Sequence, residues 1–324
     1  MSEETNVGAE DQRTTSKPMK ETQLSAARTA NGERDHGAPA LGDVSVGMLG
    51  QSLRLGLRDF LRKPMYGIGF GLFYVIGGWL MTWLTVASGQ SYWLTFAAIG
   101  FPLLGPFAAV GLYEVSLRLE RGWEINWPLI AGVVWRQSKR QLPSICAIII
   151  IVFLFWFFLA HMIFALFLGL APMTNVSSSF EIYTTTNGIT MLLVGSIVGF
   201  LFALLLYMIT VLSLPLLLDR EIDFVTAMIT SFAYVQNHFV VMLVWAAMVA
   251  GLTFAALIPG FLGLLICLPV LGHGSWHLYA QIKAAGSPDS YAGAGETVEI
   301  KSDVVISDAA GCGEGVKTVR PERI

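Results

Sequence analysis

The chain has 324 residues, of which 54% are hydrophobic and only 13% are charged, and its formal net charge is −3. A soluble domain usually carries about 25% charged residues, so this composition, with its mean hydropathy of +0.63, excludes an ordinary soluble domain. Nucleic-acid binding has no support either, because the basic residues do not form a domain of their own.

The charged residues are concentrated at the two ends of the chain. Residues 1–43 and 284–324 are polar and are predicted to be disordered tails on either side of a membrane domain, residues 44–283. Within that domain, four stretches contain no Asp, Glu, Lys or Arg: 64–113, 141–180, 182–218 and 224–282. Because about 20 apolar residues suffice to cross a bilayer as a helix, these stretches indicate membrane spans.

The first and last uncharged stretches are long enough for two spans each. Each has an interior break, the polar segment 87–92 and the Ile-Pro-Gly segment 258–260, and such residues interrupt helices. The sequence therefore predicts an all-α transmembrane fold, a six-helix bundle with spans at 66–87, 92–117, 143–169, 189–215, 238–258 and 260–281. The first apolar helix begins only near residue 66, so a cleavable signal peptide is not expected.

Lys and Arg residues near the spans predict the orientation. They occur before span 1, between spans 2 and 3, and after spans 4 and 6: Arg54, Arg58, Arg62, Lys63, Arg118, Arg121, Arg136, Lys139, Arg140, Arg220 and Lys283. The three other connections contain neither residue type. Since Lys and Arg are enriched in cytoplasmic loops, both termini are predicted to be cytoplasmic. The first nine of these residues are predicted to anchor the cytoplasmic face to anionic lipid headgroups.

A short amphipathic segment precedes each pair of spans. These segments are 52–64, 133–143 and 227–239, and they predict three copies of one unit, an interfacial helix followed by a two-span hairpin. The exits of spans 2 and 6 also align, with Tyr113 on Trp276 and Glu114 on His277.

The first segment is typical of a helix lying in the membrane interface. Its apolar residues recur at helical spacing and are predicted to face the acyl chains: Leu49, Leu53, Leu57 and Phe60. Asp43 and Asp223 are predicted N-caps of the first and third interfacial helices.

His273 and His277 are four residues apart and so lie on one side of span 6. Glu114 is predicted at a similar depth in span 2, which suggests a polar cluster at the cytoplasmic side, formed by these three residues. Three interpretations remain open: structural anchoring at the headgroup level, with Glu114 paired to Arg118 or to a histidine; a polar relay or transport role; and a metal site. Haem is disfavoured, because two axial ligands must approach from opposite sides.

Other polar features have modest interpretations. His161, inside span 3, is predicted to bond a carbonyl of its own helix, with a functional role as the alternative. Asp219, Glu221 and Asp223 are predicted to form a polar hinge, with cation binding as the alternative. Two pairs of glycines, Gly67 with Gly71 in span 1 and Gly195 with Gly199 in span 4, favour close packing of these spans against other helices. No disulfide is indicated by the three cysteines, and neither a Walker A loop nor an HExxH or GxSxG motif is present.

Four motifs in order, RLGLRDFLRKP, GPFAAVGLYEVSLRLERG, LLLDREID and GHGSWHLY, carry a family resemblance. Residues 45–283 resemble the bacterial predicted integral membrane proteins of domain-of-unknown-function family 2189. The resemblance implies a multi-pass protein of a Gram-negative inner membrane. It implies no activity, ligand or catalytic residue.

The predicted function is therefore that of a non-enzymatic inner-membrane protein, either permease-like or lipid-interacting, without a cofactor. An accessory or assembly subunit of a membrane complex is the alternative, and a metal- or haem-binding redox protein is less favoured. The expected partners are the anionic headgroups of the bilayer, and beyond them a second copy of the chain or a partner complex.

Overall fold

A computed structural model describes residues 37–89, 92–169 and 181–286, and within these ranges the secondary structure is helical. The helices, in chain order, are α1 (Val46–Arg62), α2 (Pro64–Ser88), α3 (Tyr92–Arg121), α4 (Trp127–Ser138), α5 (Leu142–Leu168), α6 (Glu181–Thr184), α7 (Thr186–Thr210), α8 (Ser213–Asp219), α9 (Phe224–Asn237), α10 (Phe239–Leu257) and α11 (Leu264–Ala285). Most of both predicted tails, and Cys312 with them, lies outside the described residues.

Each predicted span coincides with one of the long helices, namely α2, α3, α5, α7, α10 and α11. Among the described residues, four segments are long and apolar enough to cross a membrane: α2, α5, α7 together with α8, and α10. α3 and α11 are not in this group, so the six-span arrangement stays a prediction. The all-helical class is confirmed for the residues that the structure describes.

The three predicted amphipathic segments form α1, α4 and α9, and each leads almost directly into a long helix. Asp223 caps α9 as expected, since its carboxylate accepts a hydrogen bond from the Thr226 amide at 2.9 Å. The N-cap prediction for Asp43 is wrong. Ser45 occupies the N-cap position of α1, while Asp43 pairs with His238 at 3.1 Å.

α1 packs along α11, and this contact determines which face of α1 is buried. Its buried residues follow one stripe that includes two small residues and a carboxylate: Leu49, Ser52, Gly56, Asp59 and Phe60. Leu49 and Phe60 therefore face protein, whereas the prediction placed them toward the acyl chains. Leu57 is 43% exposed. The apolar residues of α1 alone do not decide which face is buried, because Gly56 lets the backbones of α1 and α11 come into contact.

α2 continues the contact with α11 beyond Lys63. A Cβ atom at Gly67 would lie 2.8 Å from Pro269, and one at Gly71 would lie 3.0 Å from Leu265. These glycines therefore serve packing within one chain. A Cβ at Gly195, by contrast, would meet no described atom within 4 Å outside its own helix.

The main buried core lies toward one end of the helices. It joins the C-terminal parts of α3, α7 and α11 to the N-terminal parts of α5 and α10, together with α1, α8 and α9. Trp245 and Tyr279 are its largest fully buried side chains. Tyr113 and Trp276, the residues aligned in the predicted repeat, pack side by side with ring centroids 6.2 Å apart.

The chain just before α1 is part of this packed end. The amide of Gly42 donates to the carbonyl of Ile282 at 3.0 Å, and the hydroxyl of Tyr234 donates to the carbonyl of Gly42 at 2.8 Å. The last residues assigned to the N-terminal tail thus contact α9 and α11.

Candidate functional site

The candidate site lies where α1, α3 and α11 meet, at the packed end of the helices. His273 and His277 are one turn apart on α11, and both are buried. Pro269 lies at the start of this stretch, and Gly56 lets α1 approach α11 closely enough to place the carboxylate of Asp59 on His277.

His277 lies between two carboxylates. Its Nε2 atom is 2.6 Å from Oδ2 of Asp59 on α1, and its Nδ1 atom is 3.1 Å from Oε1 of Glu120 on α3. A carboxylate only accepts hydrogen bonds, so the imidazolium form alone can donate to both at once. Glu120 is held in turn by Trp276, whose indole N–H donates to Oε2 at 3.1 Å.

His273 occupies the inner part of the site. Its Nδ1 atom is 2.8 Å from the hydroxyl oxygen of Ser116, and the residue is 0% exposed. Its Nε2 atom has no hydrogen-bond partner among the described residues. A buried ring nitrogen without a partner is costly, so this position calls for a functional or structural explanation.

Asp59 is the charged centre of the cluster. Burial by itself would raise the pKa of its carboxyl, but the hydrogen bond and charge of His277, the hydroxyl of Ser116 and the charge of His273 together lower it below the ordinary value of 3.8. Asp59 is therefore ionised at neutral pH. Arg58, next to it in the chain, adds a longer contact at 3.7 Å.

Glu114, the third residue of the predicted cluster, has a different partner. Its carboxylate forms an ion pair with Arg118 one turn on, at 2.6 Å, and Arg118 also donates to the carbonyl of Glu124 at 2.8 Å. This is the Arg118 pairing that the sequence suggested. The side chain of Arg118 is 12% exposed, so it is more buried than those of Arg58 and Arg140. The other predicted anchors are exposed: Arg54, Arg58, Arg62, Lys63, Arg121, Arg136, Lys139 and Arg140.

The structure also adds three site residues that the sequence interpretation missed, Asp59, Ser116 and Glu120. Asp59 lies in the segment predicted to be an interfacial helix, and no role was predicted for it. Its spacing from Ser52 and Gly56 was the available signal, because small and polar residues at four- and three-residue steps indicate a face that packs on another helix.

The remaining polar candidates have separate roles. Asp219 accepts from the hydroxyl of Tyr279 at 2.7 Å and from Lys283 at 2.6 Å, while Glu221 pairs with Arg140 at 3.2 Å. With Asp223 capping α9, the three carboxylates do not converge on one cation. His161 is exposed, and its Nδ1 atom is 2.8 Å from the carbonyl of Phe157 in the same helix. In the described part of the chain, no three His, Cys, Asp or Glu side chains are placed to hold a metal ion.

A comparison with protein families gives a match for the central part of the chain. Residues 94–219 match the model of a family described as a predicted integral membrane protein. That family is DUF2189. The DUF2189 match confirms the resemblance for the region from α3 to the end of α8, and the protein is an integral membrane protein with apolar helices. The matched region contains Glu114, Ser116 and Glu120 and ends before α11. Neither the curated proteins nor the solved structures gave a match.

In chemical terms, the site is a run of neighbouring polar groups. One part joins Glu120, whose side chain is 34% exposed, through His277 to Asp59. The other part joins Ser116 to the buried His273, and Ser116 is also one of the groups that lower the pKa of Asp59. Such groups can bind and pass protons, since each neighbour can accept or donate a hydrogen bond. An ionisable cluster of this kind in a membrane protein is commonly functional.

Proposed function

We propose that this protein is a non-enzymatic, multi-pass protein of the bacterial inner membrane with six spans and cytoplasmic termini. The spans are α2, α3, α5, α7, α10 and α11. The connections that contain Lys and Arg all lie at the packed end, which supports placing that end in the cytoplasm. The candidate site then lies at the cytoplasmic side of the bundle.

The activity we propose is permease-like, with proton movement through the polar cluster as its core step. The observation that carries this proposal is a set of neighbouring polar contacts, Glu120 to His277, His277 to Asp59, and Ser116 to His273, which extend from a partly exposed carboxylate to a buried imidazole. Chains of Asp, Glu and His are how membrane proteins relay protons through an apolar interior. The unpartnered Nε2 atom of His273 would be the inner proton-binding position.

Proton flux in reconstituted vesicles tests the proposal. Purified protein is inserted into lipid vesicles that contain a pH-sensitive dye, and a pH step is applied outside. Wild-type vesicles should equilibrate faster than empty ones. His277→Gln and His273→Gln should each slow the protein-dependent rate at least about tenfold, because each removes a proton-binding group from the run.

His161→Gln is the matched control, since His161 is a membrane-helix histidine that bonds only its own helix in the described contacts. It should leave the rate unchanged. Size-exclusion elution and a thermal unfolding curve verify that each variant folds. Wild-type vesicles that equilibrate no faster than empty ones would contradict the proposal, as would a folded His277→Gln variant with the wild-type rate.

The same orientation brings the exposed basic residues of α1 to the cytoplasmic leaflet. Arg54 and Arg62 are exposed on this helix, and Lys63 is exposed directly after it. Each basic residue near an anionic membrane surface is attracted by about 1 kcal/mol. We therefore propose anionic headgroups as the lipid partners of this face.

A further inference from the structure

An apolar groove runs between α1, α10 and α11, on the outer side of the α1–α11 contact. Its volume is about 590 Å³, within the range of roughly 300–1,000 Å³ typical of small-molecule sites. Its walls include Leu53 and Leu57 of α1, Leu252 and Ala255 of α10, and Ile266 and Val270 of α11. From Gly263 to Leu271 the groove follows α11 for about 12 Å, given a rise of 1.5 Å per residue.

Arg54 lines this groove and also lines a second, more polar cavity. That cavity has a volume of about 820 Å³ and is bordered by Gln51 and Arg58 as well. Gly50 and Arg54 belong to both cavities, so the apolar groove and the polar depression adjoin each other. The Nε atom of Arg58 is 3.7 Å from Oδ1 of Asp59, and the side chain of Arg58 is 48% exposed.

We propose that the groove and the adjoining depression form a binding site for one anionic phospholipid of the cytoplasmic leaflet. One acyl chain lies in the groove between α1, α10 and α11, and the phosphate lies at Arg54 and Arg58. This inference rests on the proposed placement of α1 at the cytoplasmic membrane surface.

Charge and shape together select this occupant. An acyl chain has no hydrogen-bonding group, and the lining side chains along α10 and α11 offer it apolar contacts. A phosphate needs donors, and guanidinium groups supply them in a fixed planar arrangement. A helix of a second copy or of a partner protein would leave Arg54 and Arg58 without a matching anion unless it carried one, so the lipid is the simpler match.

Native mass spectrometry of the full chain in a mild, neutral detergent tests the site. The probes are dioleoylphosphatidylglycerol and, as the uncharged comparison, dioleoylphosphatidylcholine, each added in a titration. The wild-type protein should retain one phosphatidylglycerol in preference to phosphatidylcholine. Arg54→Gln should weaken retention about fivefold, as expected for one lost charge contact. Ala255→Phe, which fills the groove, should abolish the one-to-one complex.

Two matched controls come from the same helices. Arg62→Gln removes an equal charge from α1 outside both cavities, and Ala250→Phe adds the same ring to α10 at a residue that does not line the groove. Both should retain the lipid as the wild type does. Should Ala255→Phe fail to fold, alkylation of Cys267, which lines the groove, provides the second measurement on the wild-type protein. Phosphatidylglycerol, but not phosphatidylcholine, should slow that reaction.

Equal retention of the two lipids overturns the proposal, as does retention by Ala255→Phe at the wild-type level. Retention that falls equally in Arg54→Gln and Arg62→Gln also overturns it, because it would reflect general surface charge. None of these variants alters the polar cluster, and the measurement needs no membrane orientation. A failure here is therefore distinguishable from a failure of the proposed proton movement.

Discussion

Asp59 is the residue on which the buried charges of the site depend. It is almost completely buried, yet its pKa is lowered, since His277 and the other polar neighbours outweigh the effect of burial. Its closest partner, His277, is 218 positions away in the chain. A buried ion pair adds little stability over apolar packing, but the loss of one member leaves the other charge without compensation.

Asp59→Asn should therefore lower the free energy of unfolding by about 3–5 kcal/mol at pH 7. Because the folded-state pKa of Asp59 is below 3.8, its ionised form stabilises the fold above that pH, and this contribution is lost as the pH falls through the folded-state pKa. The difference between wild type and variant should thus narrow below pH 3.8. Thermal unfolding in detergent, recorded from pH 7 down to pH 3, measures both effects.

Glu221→Gln is the control at this scale, since it makes the same chemical change in an exposed ion pair with Arg140. Exposed pairs contribute about 0–1 kcal/mol, so this variant should unfold close to the wild type at every pH. Similar losses in the two variants would show that Asp59 has no special role in the buried cluster.

Among the helices, α1 shows how much of the fold follows from sequence and how much depends on tertiary contact. Its helical spacing predicted the element correctly, and so did the uncharged stretches for the long helices. Its neighbour was not predictable, because α11 comes some two hundred residues later and the same apolar spacing also fits a lipid-facing helix. The stripe of Ser52, Gly56 and Asp59 indicates a face that packs on another helix, but it does not say which helix that is.

The candidate site divides in the same way. His273 and His277 were predicted because a four-residue step within one helix is local information. Asp59, Ser116 and Glu120 come from two other helices, so their approach depends on how α1 and α3 pack on α11. The ion pair between Glu114 and Arg118 was also predictable, because the two residues are four apart in one helix.

Gly56→Ala tests the contact between α1 and α11. A Cβ atom there would lie 2.5 Å from the carbonyl oxygen of Val270 and 2.6 Å from the amide nitrogen of Gly274. Both are backbone atoms and cannot rotate away, so the helices must separate. We expect a loss of about 1–3 kcal/mol, as for other overpacked positions, measured by thermal unfolding in detergent without added lipid.

Gly50→Ala is the matched control in the same helix. A Cβ atom at Gly50 meets no described atom within 4 Å outside its own helical neighbours. Alanine is the better helix former by roughly 0.5–1 kcal/mol, so this variant should be as stable as the wild type or slightly more stable. If Gly56→Ala matched Gly50→Ala, the close contact between the two backbones would be refuted.

Across the whole molecule, packing is concentrated at one end and lipid-compatible surface at the other. The main core lies where α1, α8 and α9 meet the ends of the long helices. Toward the other ends, a much smaller cluster of Val75, Ala256 and Leu264 is buried, and large side chains such as Phe254 are exposed. Apolar side chains need no protein partner in hydrocarbon. The packed end also carries the basic residues of the connections. In the proposed orientation the main core therefore lies at the cytoplasmic end of the bundle.

Labelling of single cysteines tests that orientation. In a background without the three native cysteines, Ser88→Cys and Ile258→Cys lie at ends of α2 and α10 far from the basic residues, and Lys139→Cys lies after α4 among them. A membrane-impermeant maleimide added to intact spheroplasts should label the first two and should label Lys139→Cys only after lysis. Basic side chains cross the bilayer at high cost, so the connections that carry them stay in the cytoplasm. Labelling of Lys139→Cys in intact spheroplasts, with Ser88→Cys protected until lysis, would reverse the orientation and move the polar cluster to the opposite face.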